Sequence, residues 1–416
     1  MKQMQKGIFF LMLAAIVGCG KSDTGELVGV QDRPVWKGIQ PYGMVYVPSG
    51  TLLIGPSDQD ISATFVQRPK QISIQGFFMD DTEITNNEYR QFVHWVKDKM
   101  AHEKLEHFLE ADPDAVEEED PEIDWDMEID WEAEELQDMY YQGNNKLSGK
   151  KELNIDLLKY SYEWYDWQAA AHDKGQSARN KFIKKKTVKV HPDKFVWVRD
   201  FAYAYNEPMT RNYFDHPNYD DYPVVGVDWN MVNAFSHWRT ELYNKSLGED
   251  QINTEDFRLP SEFEWEYAAR GGHEQAMYPW GGPYIRNAKG CLIANFKPGR
   301  GNYPEDGGMY TVKADAYFPN DYGLYNMAGN VAEWTLTAYA ENILSRVSDL
   351  NPDYRYDADD KEDPSNKRKV IRGGSWKDSH FFLQNSSRTY EFQDTTKSYI
   401  GFRNVLTFLG RSINDF

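Results

Sequence analysis

Cysteine is almost missing: Cys19 and Cys291 are the two in 416 residues, so no disulfide framework holds this chain together. No apolar run reaches the roughly 20 residues a membrane-spanning helix needs; residues 8–17 come nearest. Positive charge is in deficit. The 46 Lys and Arg face 66 Asp and Glu, a net charge of −20 that repels a phosphate backbone and argues against nucleic acid as a partner. A Gly-x-Ser-x-Gly elbow, a P-loop and a Gly-rich dinucleotide fingerprint are also absent, which leaves hydrolase and nucleotide-binding readings without support. Aromatic residues are plentiful. With 27 Tyr, 22 Phe and 13 Trp, the chain can fill a sizeable core, and disorder throughout is excluded.

Lys2 and Lys6 precede the apolar run, which closes on Ile16-Val17 and is followed by Gly18-Cys19. This is a signal-peptide pattern whose end resembles a bacterial lipobox, at which Cys19 is acylated and becomes the first residue. An ordinary signal peptide with an incidental cysteine is the alternative. The expected layout is a leader at 1–18 and a polar tether at 19–41. More than one acyl chain on Cys19 would hold the protein on a membrane surface without a transmembrane helix. The lack of an acidic run after Cys19 points to the periplasmic face of the outer membrane. Cys291 is then the remaining thiol, expected to be buried.

Beyond the tether, Met44 to Gly55 places two β-rich runs around Pro48-Ser49-Gly50 and reads as a hairpin, and residues 72–80 read as a further strand. Thr85 and Glu88 fit a capping box, followed by Tyr89, Phe92, Val93 and Val96 at helical spacing. Asp228 caps a second helix bearing Val232, Phe235 and Trp238. Ser261 and Glu264 open a third, which Gly271-Gly272 closes.

Between these helices the composition shifts. Residues 110–138 hold 16 Asp and Glu and no Lys or Arg. Within them Ile123, Trp125, Met127, Ile129 and Trp131 alternate with acidic residues, which is strand periodicity. The stretch reads either as an acidic loop without fixed structure or as a segment that orders on a basic partner, its tryptophans acting as anchors. Residues 157–171, with Trp164 and Trp167, read as a helix with an aromatic face. Lys181, Lys184, Lys185, Lys186 and Lys189 could fold back on the acidic strip or face outward. Residues 99–213 therefore read as an acidic and aromatic insertion in a domain made of 42–98 and 214–416. Trp125, Ile129, Trp131, Trp164 and Trp167 are the candidate partner contacts.

Several ordered blocks together resemble one family, the formylglycine-generating enzymes or sulfatase-modifying factors. They include Asp81-Thr82-Glu83-Ile84-Thr85-Asn86, Tyr222-Pro223-Val224-Val225-Gly226-Val227, Tyr278-Pro279-Trp280-Gly281, Asn326-Met327-Ala328-Gly329-Asn330, Arg372-Gly373-Gly374-Ser375-Trp376 and Gly401-Phe402-Arg403. The resemblance implies an α+β, C-type-lectin-like fold with little regular secondary structure. It also implies a copper site of two cysteines in active members; the matching positions here are Asp378 and Leu383. Copper(I) needs soft thiolates, so no copper and no catalysis are expected. Structural calcium is implied in two oxygen-ligand sets, Asn295, Phe296, Asp306 and Gly308, then Asn326, Gly329, Val331 and Glu333. His102 and His107 lack a third ligand, and His94 and His237 sit on helix faces.

At the ends of the generic blocks, Gly25-Glu26-Leu27-Val28-Gly29-Val30-Gln31, Arg33-Pro34, Tyr42-Gly43-Met44 and Ile54-Gly55-Pro56-Ser57-Asp58 resemble the gliding-motility lipoproteins GldK, called PorK in non-gliding relatives. That narrower resemblance implies a ring subunit of the type IX secretion machinery, lipid-anchored at the outer membrane, self-associating and bound to a GldN or PorN protein. The related GldJ lipoproteins are an alternative. So is an enzyme with replaced metal chemistry at Asp378 and His380, or a peptide- or carbohydrate-binding module.

Overall fold

The computed structural model describes residues 40–55, 68–109, 121–201, 209–247 and 252–410. The leader, Cys19, the tether up to residue 39, the Pro56-Ser57-Asp58 block and acidic residues 110–120 lie outside them. In chain order the elements are β1 (Met44–Val47), β2 (Gly50–Ile54), β3 (Lys70–Ile74), β4 (Phe77–Asp80), α1 (Asn86–Lys104), β5 (Lys159–Tyr165), α2 (Trp167–Asp173), β6 (Ile183–Lys189), α3 (Val196–Asp200) and α4 (Met209–Asn212). They continue with α5 (Trp229–Ser246), α6 (Glu262–Ala269), β7 (Ala332–Ala338), β8 (Arg368–Arg372), β9 (Thr389–Phe392), β10 (Ile400–Gly401) and β11 (Val405–Thr407). Short strands joined by long irregular segments make this an α+β fold.

In one sheet β4 lies between β1 and β11, antiparallel to both. A second runs β10-β7-β8-β9, with β10 parallel to β7 and the other pairs antiparallel. β2 pairs with β3, and β5 with β6, as separate antiparallel ribbons. The expected β1–β2 hairpin does not form. Pro48, which has no N–H, and Ser49 carry the chain out of the first sheet, so β2 finds its ladder on β3. Residues 72–80 likewise divide at Gln75-Gly76 between two sheets.

The three expected helices form with their caps. The Thr85 hydroxyl accepts from Glu88 N while the Glu88 carboxylate accepts from Thr85 N. The same reciprocal pair joins Ser261 and Glu264, and Asp228 accepts from Met231 N. The apolar stripes of α1 and α5 meet in the main core. Phe92 lies 5.2 Å from Trp238 ring to ring, and Tyr89 stacks on Phe235 at 5.4 Å.

Residues 157–171 are not the expected helix: they form β5 and then the short α2. Tyr160, Tyr162 and Trp164 alternate with Lys159, Ser161 and Glu163, and period two with bulky aromatics favours a strand. The inner face joins the main core: Tyr160 meets Phe92 at 5.4 Å and Tyr162 stacks on His237 at 4.4 Å. The core thus takes in residues from within 99–213, and α1 runs past the expected boundary to Lys104.

The alternating residues 123–131 are not a strand either. Asp124 and Asp130 each accept from a backbone N–H two residues on, at 3.0 Å, which curls the chain into turns. This ledge packs on α1. Trp125 stacks on Trp95 at 5.5 Å, the Lys97 ammonium sits 4.3 Å from the Trp131 ring, and Ile129 and Trp131 lie against Ala101, Leu136 and Met139. Its carboxylates meet Lys104 and Lys151. The lysine run turns elsewhere: Lys185 pairs with Glu163, Lys186 with Asp357 and Lys189 with Asp156.

Because Tyr160 fills the core, Tyr160→Ala should lower the unfolding free energy by about 3 kcal/mol, as for other large buried side chains. Denaturant unfolding checks this; an unchanged midpoint would make the β5–β6 ribbon an appendage.

Candidate functional site

The Arg372-Gly373-Gly374-Ser375-Trp376 block leaves β8 through a tight turn. Gly374 has φ +67° and any Cβ there would come within 2.9 Å of the Phe382 backbone, so this position needs glycine. The turn folds residues 375–383 back on themselves and places Asp378 and Leu383. The Ser375 hydroxyl donates to Asp378 Oδ2 at 2.6 Å, and Asp378 O accepts from Lys297 N at 2.9 Å. Burial pushes the Asp378 carboxyl up, and the Ser375 hydrogen bonds and nearby Lys377 oppose it. Leu383 is wholly buried among Tyr278, Leu292, Ala294, Phe296 and Ala328. An isobutyl group in an apolar cluster and a carboxylate engaged by a hydroxyl have no thiolate to offer a soft metal.

Beside them lies a cavity of about 430 Å³, lined by Met277, Tyr278, Tyr284, Ile285, Phe381 and Gln384, with His380 at its edge. Tyr278 stacks on Trp280 at 4.9 Å and donates to His380 O. On another side Trp376 stacks on Trp197 of α3 at 5.8 Å, and Asp200 accepts from the Ser398 hydroxyl. Ser375 gains a partner that sequence reading missed; the Ser-x-x-Asp spacing was the available signal. Its hydroxyl is wholly buried, so no substrate reaches it.

Among the described residues no three His, Cys, Asp or Glu side chains converge as metal ligands. His102 and His107 approach through their Nδ1 atoms at 3.1 Å, beneath the Trp125 edge. Cys291 is exposed, not buried as expected. It sits in a turn whose Asn287 side chain accepts from Cys291 N, and the bridge between Arg286 and Leu292 turns Leu292 inward and leaves Cys291 outside.

The two oxygen sets behave differently. In the first, the Asp306 carboxylate accepts from Phe296 N at 2.7 Å and Gly308 N at 2.9 Å, and a Cβ on Gly308 would lie 2.9 Å from Asn295 Oδ1. The Asp306 carboxylate and the Asn295 amide oxygen thus lie on either side of Gly308, hard oxygen donors of the kind a calcium ion takes. In the second, Gly329 has φ +83°, and a Cβ there would meet Asn295 O at 2.3 Å, so the Asn326-to-Asn330 loop requires glycine. Its Glu333 is fully buried and bound by the Arg403 guanidinium at 2.7 to 3.0 Å and by Trp265 Nε1 at 2.7 Å. A cation there would sit against a guanidinium, so the expected second set does not fit calcium.

Arg403 also donates to Asp80 O and Tyr325 O, and Glu83 accepts from Asn326 and Asn330 side chains at 3.2 and 3.0 Å. Burial pushes the Glu83 carboxyl up to about 8 although Arg403 pulls it down. This network joins the Asp81-to-Asn86, Asn326-to-Glu333 and Gly401-to-Arg403 blocks in one place. The Sulfatase-modifying factor enzyme 1-like domain matches residues 36–408. The chain belongs to this family.

Within the family, the chain is 26% identical over 370 residues to the formylglycine-generating enzyme of Bos taurus, covering 87% of this chain and 74% of that protein. It is 34% identical over 198 residues to the formylglycine-generating enzyme of Thermomonospora curvata, 45% of this chain and 56% of that one. It is 32% identical over 189 residues to the inactive C-alpha-formylglycine-generating enzyme 2 of Bos taurus, 44% of this chain and 50% of that one. The family thus includes relatives named formylglycine-generating enzymes and relatives named inactive. PvdO from Pseudomonas aeruginosa shares the fold, with TM-score 0.50 and 14% identity over 91% of this chain and all of that one.

Arg403→Met would leave Glu333 buried without a counter-charge and should cost about 3–5 kcal/mol in denaturant unfolding. Glu83 holds its proton more tightly folded than unfolded. Its contribution to stability is complete below its ordinary value of 4.5 and is lost as pH rises through about 8. Melting temperatures should therefore fall across that window, and Glu83→Gln should flatten the fall; an unaltered profile would assign the slope to other groups.

Proposed function

We propose that this chain is a non-catalytic member of its family: a lipoprotein anchored through Cys19 at the periplasmic face of the outer membrane, serving as a ring subunit of type IX secretion and gliding machinery. The observation that carries the non-catalytic part is the pair at the expected thiolate positions, Leu383 packed in an apolar cluster and Asp378 bonded to Ser375. The assignment to the machinery rests on the GldK-like blocks near the N-terminus. GldJ-like membership remains the alternative assignment.

A ring subunit needs heterologous contacts with copies of itself and a face for its neighbour. The acidic ledge supports the second. Trp125 is 43% exposed beside exposed Met127 and a row of carboxylates, a surface suited to a basic partner such as a GldN or PorN protein. Trp131, Ile129 and Trp164 are partly buried against their own chain, so Trp125 carries more of this contact than they do. Trp167 opens α2 just beyond β5 and stands exposed against Tyr165. Calcium at the Asn295–Asp306 turn is a structural stabiliser in this reading.

The apolar cavity beside His380 favours a second reading, a peptide- or carbohydrate-binding module. Purification from native membranes in mild detergent separates the two. A large particle holding a near-stoichiometric second protein, with acylated Cys19, is the expected result. A monodisperse monomer that saturably binds a small ligand would favour the module. Copper(I) titration tests the non-catalytic part: the native chain should bind no tight equivalent, whereas the Asp378→Cys, Leu383→Cys double variant should gain one. Tight copper binding by the native chain would sink the reading.

A further inference from the structure

The far end of the β5–β6 ribbon is basic and aromatic in a chain whose overall charge is strongly negative. Residues 163–189 hold seven Lys and Arg against three carboxylates. Each carboxylate is engaged: Glu163 by Lys185, Asp166 by the α2 backbone at Ala169, and Asp173 by Ser177. Lys174, Arg179, Lys181 and Lys184 are all exposed, and none forms an ion pair among the described residues. Lys181 donates to the Ser177 hydroxyl near Asp173, and Arg179 lies over the Tyr165 ring at 5.2 Å.

Among these cations stand Trp167, 75% exposed, and Ile183, 44% exposed. Trp167 meets Tyr165 edge to face at 4.7 Å, which holds the indole outward at the tip. The acidic ledge lies toward the other end: Tyr160 touches Trp95, on which Trp125 stacks. Five strand residues, roughly 17 Å, separate Tyr160 from Tyr165. The acidic ledge thus lies toward one end of the ribbon, and the aromatic, positive tip stands at the other.

We infer that this tip, Trp167 and Ile183 ringed by Lys174, Arg179, Lys181 and Lys184, docks on an anionic lipid surface. A protruding indole among lysines suits the bilayer interface, where tryptophan sits at headgroup depth and each nearby cation gains from anionic lipid. Charge also sets orientation: the acidic ledge is repelled by the same surface, which turns it away from the membrane. The contact does not depend on acylation of Cys19.

The test uses the full chain carrying Cys19→Ser, so that no acyl chain contributes, mixed with vesicles of phosphatidylcholine alone or with added phosphatidylglycerol. Co-sedimentation is expected with the anionic vesicles only and should vanish at high salt. Lys181→Gln with Lys184→Gln should weaken partitioning about thirtyfold, and Trp167→Ala about tenfold, with unchanged thermal melts. Equal binding to both vesicle types, no binding, or binding indifferent to these substitutions would overturn the inference. Retention on polyglutamate but not on vesicles would also overturn it, in favour of an acidic protein partner.

Discussion

The buried ion pair of Arg403 and Glu333 is the constraint on which the rest of the fold depends. Two opposite charges removed from water must be matched almost completely, or the desolvation cost would dominate. Here the guanidinium meets the carboxylate and three backbone carbonyls, and the carboxylate also takes an indole N–H. That requirement draws together the end of β4, the Asn326-to-Asn330 loop, α6 and the segment between β10 and β11. A fold with short strands and few long helices lacks extended ladders, so such cross-chain polar anchors set its geometry. Glu266 with Arg372 and Arg270, Glu262 with Arg388, and Asp80 with Arg239 repeat the device around the core.

Arg372, one of these anchors, opens the turn that carries Asp378 and Leu383. Asp378 serves a local hydrogen bond and Leu383 fills a core position. The scaffold rests on the buried ion pairs and not on Asp378 or Leu383, so the fold and the chemistry of these two positions can vary independently.

The surface is organised by charge rather than by a deep cleft. Cations from α1 and from Lys151 draw residues 121–138 down onto the helix, although that stretch carries a surplus of carboxylates. The lysines of β6 do not serve that purpose. They neutralise carboxylates near their own strand and leave a positive tip beyond, so two regions of opposite sign persist on one molecule.

Much of the fold was legible in the sequence. Capping boxes and Asp228 marked where α1, α5 and α6 begin, because a cap is a local bond between residues three apart. The ordered blocks marked the family. What sequence reading misassigned was decided by partners far along the chain. Tyr160, Tyr162 and Trp164 became a strand because β6 supplies a ladder and Phe92 a surface. Residues 123–131 lost their strand pattern to aspartate side chains that satisfy the backbone locally. At the site, the sequence alone determined that positions 378 and 383 carry a carboxylate and an isobutyl group rather than thiols. Only the tertiary structure decided that Glu333 faces a guanidinium rather than a metal and that Ser375 meets Asp378. It also left Cys291 in the open, because burial and pairing are properties of what the folded chain brings alongside.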